Sequence, residues 1–313
     1  MKTHKPPRLK KGDIIGIAAP ASPPASLHSL TKGIRSLEQL GYHIVLGKHL
    51  YEKHGYLAGT DKDRASDINE LFLNPRVNAI LIVRGGYGSH RILPLLDYNA
   101  IRRNPKVFVG YSDITALQLA IFAKTGLVTF SGPMVSTEFG EGFGGNAEEQ
   151  FWQCLSSTKP LGILQNPNGK PLKPLIRGVT SGQLLAGNLS VVTAMLGTAY
   201  FSNSKNNILV LEEVEEPPYK IDRMFHHLQL ARVFDQARGV VLGEFADCKP
   251  TNSKKPSLTL RQIFKEVFAP YEIPVLTGLQ YGHVEGSLTL PIGIKTRMNA
   301  SRGLLELIES AVE

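Results

Sequence analysis

Residues 106–120 read KVFVGYSDITALQLA, an apolar run and a helical pattern with Gly-Tyr-Ser-Asp between them. Val107, Phe108 and Val109 carry the signature of a short buried strand. From there on, apolar residues recur at Ile114, Leu117, Ile121 and Phe122, a spacing that lines one face of a helix. Ser112 stands where the period changes, and Asp113 enters the first helical turn. Two readings of that serine compete. As an N-cap, its hydroxyl accepts a hydrogen bond from a free helix N–H. As a nucleophile, it is presented at the carboxyl end of a strand beside unpaired N–H groups. The stretch by itself leaves both open.

The same alternation runs through the first half of the chain. Strands are expected over 13–19, His43–Leu46, 78–83 and 127–130, with helices over 27–40, Asp61–Leu73 and up to Leu96. Strands alternating with helices imply a parallel sheet covered on both faces. Ligands on such sheets bind beyond the carboxyl ends of the strands. Two loops leave those ends: RGGYGS after NAILIV, and GYSD after VFV. Gly85, Gly86 and Ser112 therefore share one rim. RGGYG has neither the spacing of a dinucleotide fingerprint nor that of a P-loop. It reads equally as a tight turn or as an anion site.

From about residue 158 to 178 proline, glycine, asparagine and lysine dominate, which suits a connection between domains. The division expected is 1–157 for an N-terminal α/β domain, 158–178 for a linker and 179–313 for a C-terminal α/β domain with short strands. In the second part helices are expected over 188–196, 219–230 and 258–268. Its strands are expected over 207–211, 239–242, 274–276, 288–294 and Leu304–Leu307. Glu212 and Glu213 close the apolar run ILVL, and His283 sits in a glycine-flanked loop, YGHVEG. His226 and His227 fall inside a helix and read as surface or packing residues. There is no HExxH and no ligand spacing for a metal site. A serine relay needs a hydroxyl, an imidazole to take its proton and a carboxylate to orient the imidazole. Ser112, His283 and Glu212 can supply them, but spacing alone does not bring them together.

Composition describes an ordinary globular chain: 313 residues, 42% hydrophobic and 20% charged. The net charge of +8 is scattered, its densest group being Lys2, Lys5, Arg8, Lys10 and Lys11, which reads as a solvated arm. With no zinc-finger spacing, RNA-binding signature or aromatic–basic interleaving, nucleic acid is not an expected partner. Two cysteines in a chain this long fit a reduced compartment, and no stretch has the apolar length of a membrane span or signal peptide. The expected location is the cytoplasm.

Taken together and in order, GDIIGIAAPASP, GYLAGTDKDRASDIN, AILIVRGGYGSHRILPLLD, PKVFVGYSDITALQL, GQLLAGNLSVVTAMLGT, LVLEEVEEPPYKIDRM and YGHVEGSLTLPIG are specific. Over nearly its whole length the chain resembles the LD-carboxypeptidase family of serine peptidases, which includes murein tetrapeptide carboxypeptidases and microcin-immunity peptidases. The resemblance implies a nucleophilic Ser112, with Glu212 and His283 completing a triad between the two domains. Glu212 is preferred to Glu213 because the family's glutamate ends the apolar strand. The implied substrate is a peptidoglycan-derived tetrapeptide, cut at the L,D bond before its terminal D-alanine during cell-wall recycling. No cofactor or metal is implied, and a homodimer is. Gly86 N–H and Asp113 N–H are the candidate oxyanion donors, while Arg84 is either a clamp for the terminal carboxylate or a brace for its loop. Two other functions stay open: inactivation of a peptide–nucleotide antibiotic, and non-catalytic muropeptide binding. GYSDI lacks the second glycine of the G-x-S-x-G elbow, so the α/β-hydrolase label does not apply.

Overall fold

The computed structural model describes residues 3–201, 205–252 and 254–313, so Lys2 lies outside the described residues. The first five strands are β1 (Ile14–Ala18), β2 (His43–Leu46), β3 (Val77–Ile82), β4 (Val107–Gly110) and β5 (Thr129–Ser131). They pair in parallel, as the strand–helix alternation requires. Then come β6 (Gly162–Ile163), β7 (Lys173–Ile176), β8 (Val179–Asn188), β9 (Asn207–Val214), β10 (Gly239–Ala246) and β11 (Val275–Thr277). The last three are β12 (Leu290–Ile292), β13 (Lys295–Asn299) and β14 (Leu304–Leu307). The first sheet has the order β12-β5-β4-β3-β1-β2, and the second β6-β14-β13-β8-β9-β10-β11-β7.

Two of the differences from the sequence expectation concern how the halves of the chain join. Strand β12 comes from the second half of the chain but pairs antiparallel with β5, so the first sheet is mixed and the two halves are stitched together. Residues 158–178, expected as a connection, contribute β6 and β7, which pair with β14 and β11 at opposite edges of the second sheet. Proline- and glycine-rich sequence is tolerated there because an edge strand leaves one side of its backbone unpaired. The basic arm is also tied down: Arg8 N–H donates to the Glu313 carbonyl at 2.8 Å, and His4 bonds across to Gly126 and Val128.

Local chemistry sets the elements that carry the rim. The Asp61–Leu73 helix opens with a capping box, in which Thr60 and Asp63 each bond the other's backbone N–H. The Thr115–Thr125 helix ends on Gly126 at φ 76°, the left-handed cap that glycine favours. That helix is buried on nearly every side, not along one stripe. It packs against β5 on its own side and against β8 and the Leu189–Ala194 helix on the other.

Candidate active site

Strand β4 delivers the chain to Ser112, whose φ of 65° is left-handed for a residue with a side chain. Such a conformation costs on the order of 1–3 kcal/mol and persists only where its surroundings impose it. Gln118 contributes to that imposition. Its amide donates to the Gly110 carbonyl at 2.7 Å and the Phe130 carbonyl at 2.6 Å, fixing the carboxyl ends of β4 and β5. Ser112 does not cap the helix after it: the Thr115–Thr125 helix has no side-chain cap. Its Oγ lies 3.0 Å from His283 Nε2. Gly85 must lack a side chain here, since a Cβ on it would stand 2.9 Å from Ser112 Cβ and 3.1 Å from Oγ.

Adjacent residues of a strand point to opposite faces, and β9 uses this to separate its two glutamates. Glu212, 1% exposed, accepts from His283 Nδ1 at 2.8 Å and from the His283 N–H at 3.3 Å. Glu213 turns away and accepts from Asn188 Nδ2 at 2.8 Å, Ser190 N–H at 2.8 Å and Val214 N–H at 3.0 Å. It thus anchors the start of the Leu189–Ala194 helix. Gly282, at φ +120°, lets the Glu212 carboxylate lie against the backbone; a Cβ there would be 2.5 Å from Oε2. The structure therefore brings Ser112, His283 and Glu212 into one hydrogen-bonded line and leaves Glu213 outside it.

A carboxylate only accepts, so Nδ1 of His283 carries the proton and Nε2 is free to accept from the serine hydroxyl. Burial opposes a charge on His283. The hydrogen bond and charge of Glu212, with Glu213 and Glu138 behind it, outweigh that and hold its pKa above the usual value. A base must be neutral to take a proton, so a reaction that relies on His283 as its base slows as pH drops through that raised value. The acid limb of kcat/KM is accordingly expected above about 6.5, the ordinary histidine pKa. A pH–rate profile checks this; a limb below 6.5 contradicts it. For stability the sign is opposite. The raised pKa stabilises the fold below the unfolded value, and that contribution is lost as pH rises through the folded one.

The remaining sequence candidates sit on the same rim. Buried Asp113 does not serve its own helix: its carboxylate accepts from Ser89 N–H at 2.8 Å, joining the two loops. Burial pushes this carboxyl up, and bonds from Ser89 and Gly88 work against that shift. Among the described residues, neither Gly86 N–H nor Asp113 N–H has a hydrogen-bond acceptor. Arg84 is half-buried, and its guanidinium has no hydrogen bond or ion pair among the described residues. The sequence reading missed Tyr111 and Glu138. The Tyr111 ring lies 5.0 Å from that of His283, and its hydroxyl donates to Glu138 Oε1 at 2.8 Å. Tyr111 was adjacent to the nucleophile candidate in GYSD, but nothing in STEFG marks Glu138. No metal-holding group of three His, Cys, Asp or Glu occurs among the described residues.

Two α/β units meet around this hydrogen-bonded line, an arrangement of residue types that serine hydrolases use, and comparison identifies the class. Family models for the LD-carboxypeptidase N-terminal and C-terminal domains match residues 15–132 and 181–298. The chain is 39% identical over 299 residues to a probable murein peptide carboxypeptidase of Bacillus subtilis, covering 95% of this chain and 92% of that one. It is 33% identical to the microcin C7 self-immunity protein MccF of Escherichia coli, covering 96% and 94%. A solved structure of MccF in complex with glutamyl sulfamoyl guanosine aligns with a TM-score of 0.87 at 30% identity, covering 99% of both chains. That of a muramoyltetrapeptide carboxypeptidase from Oxalobacter formigenes aligns at 0.82 with 27% identity, covering 94% and 97%. This chain belongs to the LD-carboxypeptidase family of S66 peptidases.

Proposed function

We propose that this carboxypeptidase is of the serine type and removes the terminal D-alanine from murein tetrapeptides. The observation that carries the reading is the line from Ser112 Oγ through His283 to Glu212, at 3.0 Å and 2.8 Å. Ser112 attacks the carbonyl of the L,D bond while His283 Nε2 takes its proton. The N–H groups of Gly86 and Asp113 receive the developing oxyanion, and each such donor is typically worth roughly 100- to 1,000-fold in rate. His283 then gives the proton to the departing amino group of D-alanine. Water, deprotonated by the same imidazole, releases the acyl group from Ser112. Glu212 holds the ring and balances its charge in both halves.

An exopeptidase must also recognise a free terminal carboxylate. Arg84 suits that role, because a guanidinium binds a carboxylate through two parallel bonds and this one has no hydrogen-bond or ion-pair partner to leave among the described residues. Mass spectrometry of the wild-type protein with a murein tetrapeptide is expected to show loss of one alanine. No loss is expected from the same peptide ending in L-alanine, or from its C-terminal amide. Cleavage of the amide at the same rate would remove the carboxypeptidase geometry proposed here. No cleavage of any of the three would remove the murein reading.

Similarity to MccF supports a second substrate class, an aminoacyl sulfamoyl nucleoside, and that compound belongs in the same assay. Recognition of a purine calls for an aromatic surface to stack on. The single tryptophan, Trp152, is already stacked on Tyr42 at 5.1 Å and bonded to Glu148 at 3.1 Å. Trp152 is therefore engaged elsewhere, and the assay decides between the two substrates.

A further inference from the structure

The Asp61–Leu73 helix places one side chain beneath the rim that the mechanism above does not use. Arg64 is fully buried, its side chain 0% exposed. Nη1 donates to the Pro20 carbonyl, in the loop after β1, and to the Gly88 carbonyl at 3.0 Å, in the loop after β3. Nη2 pairs with Asp61 Oδ1 at 2.5 Å, and Asp61 is gripped from outside by Arg91 at 2.9 Å. Burial pulls the guanidinium's pKa down, and Asp61 works against that. A buried cation held this way costs more than an apolar residue of the same size would, so its position calls for a reason.

The two loops it joins are those that present Gly86. Ser22, two residues beyond Pro20, donates its N–H to the Gly85 carbonyl at 3.3 Å, and its Oγ accepts from Tyr87 N–H at 3.3 Å. The peptide groups on either side of Gly86 are therefore fixed by one loop, and Arg64 fixes that loop to the Gly88 carbonyl two residues beyond Gly86. Both glycines are cut to fit. A Cβ on Gly86 would lie 2.2 Å from Ser22 Oγ, and one on Gly88 would lie 2.8 Å from Arg64 Nη1. Within this clasp the Gly86 N–H has no acceptor among the described residues.

We infer that Arg64 is a positioning residue for the reaction, clamping the β1 and β3 loops so that the Gly86 N–H stays aimed at the carbonyl oxygen attacked by Ser112. The inference rests on the proposed oxyanion role of Gly86. It assigns to a buried guanidinium, which touches neither substrate nor nucleophile, an effect on turnover and not on binding. Preorganised donors are worth most when they need not move during the reaction.

Two variants separate positioning from folding. Arg64→Met keeps most of the buried volume and leaves Asp61 paired with Arg91, so the loss of the clamp is not compounded by a stranded carboxylate. Arg64→Ala opens a space that added methylguanidine can refill. Arg64→Met is expected to lower kcat about 100-fold, the effect of one misplaced oxyanion donor, with KM unchanged. The acid limb of the pH profile stays in place because His283 and Glu212 are untouched. In Arg64→Ala, methylguanidine restores kcat in a saturable way. Labelling of Ser112 by a small fluorophosphonate, in which Oγ displaces fluoride from phosphorus, needs the same donors but no peptide. It is expected to slow in parallel, so the clamp is tested even if murein peptides prove not to be the substrate. Wild-type kcat and labelling rate per folded molecule of Arg64→Met would overturn the inference. So would a loss confined to KM.

Discussion

Ser112→Ala is expected to lower kcat on the tetrapeptide by about a million-fold, and His283→Ala by nearly as much. The double variant is expected to be no worse than either single one. The reason is geometric. In the proposed mechanism the Ser112 hydroxyl and the His283 imidazole, 3.0 Å apart, act as a single nucleophile, so removing either removes both. The Gly86 and Asp113 N–H groups, which have no acceptor among the described residues, survive in all three variants. A residual acceleration of about 10³- to 10⁴-fold over water is therefore expected from binding and the oxyanion donors alone. Ser112 sits at φ 65°, where the strain comes from the Cβ that serine and alanine share, so the fold is expected to be indifferent to the change. Single-turnover kinetics with an intact melting transition checks this. If the two single losses multiplied in the double variant, the serine and histidine would be acting on separate steps and the relay would be wrong.

How much of this was legible beforehand follows from which forces act locally. The break at Gly-Tyr-Ser-Asp, the parallel core β1–β5 and the Asp61–Leu73 helix were readable because period, caps and turn residues are written in neighbouring positions. Strand β8 was not, because VTSGQLLAGN is small and polar by turns; it is a strand through its pairing with β9 and β13, which no local window contains. The helix Gly145–Ser156 hid behind glycines and a mixed face that becomes intelligible only once Phe151 is buried among Phe139, Phe143 and Trp152. Strand β12 reads as an ordinary short strand, and its crossing to the other sheet is a fact of topology. The same divide applies at the site. Ser112, Glu212 and His283 were chosen by residue type and resemblance, whereas the line they form depends on Gly85 and Gly282 having no side chains. Arg64 was invisible, since an arginine at the start of a charged helix looks like a solvated residue until two distant carbonyls are seen to converge on it.

Glu212→Gln is expected to cost about 10⁴-fold in kcat, whereas Glu213→Gln is expected to cost stability instead. The two glutamates are neighbours in sequence, equally apolar in context and both buried, so only the face of β9 distinguishes them. A glutamine at 212 keeps the shape and the Gly282 contact but presents an N–H as readily as an oxygen. Donation from that N–H to Nδ1 shifts the ring proton to Nε2, where it blocks acceptance from Ser112. A glutamine that still accepts from Nδ1 lacks the charge that stabilises the imidazolium. Either way the base is lost while the fold is kept, and removal of the largest opposing influence lets burial draw the His283 pKa down. Glutamine at 213 has one carbonyl oxygen for three donors, Asn188 Nδ2, Ser190 N–H and Val214 N–H. Leaving buried donors unpaired costs about 1–3 kcal/mol, so its melting temperature falls while the Ser112–His283–Glu212 line stands. Nitrogen NMR of the His283 ring reads the tautomer directly, and thermal melts read the other arm. An unchanged tautomer and near-normal turnover in Glu212→Gln, with the loss falling on Glu213→Gln, would exchange the two roles and require the imidazole to turn toward the opposite face of β9.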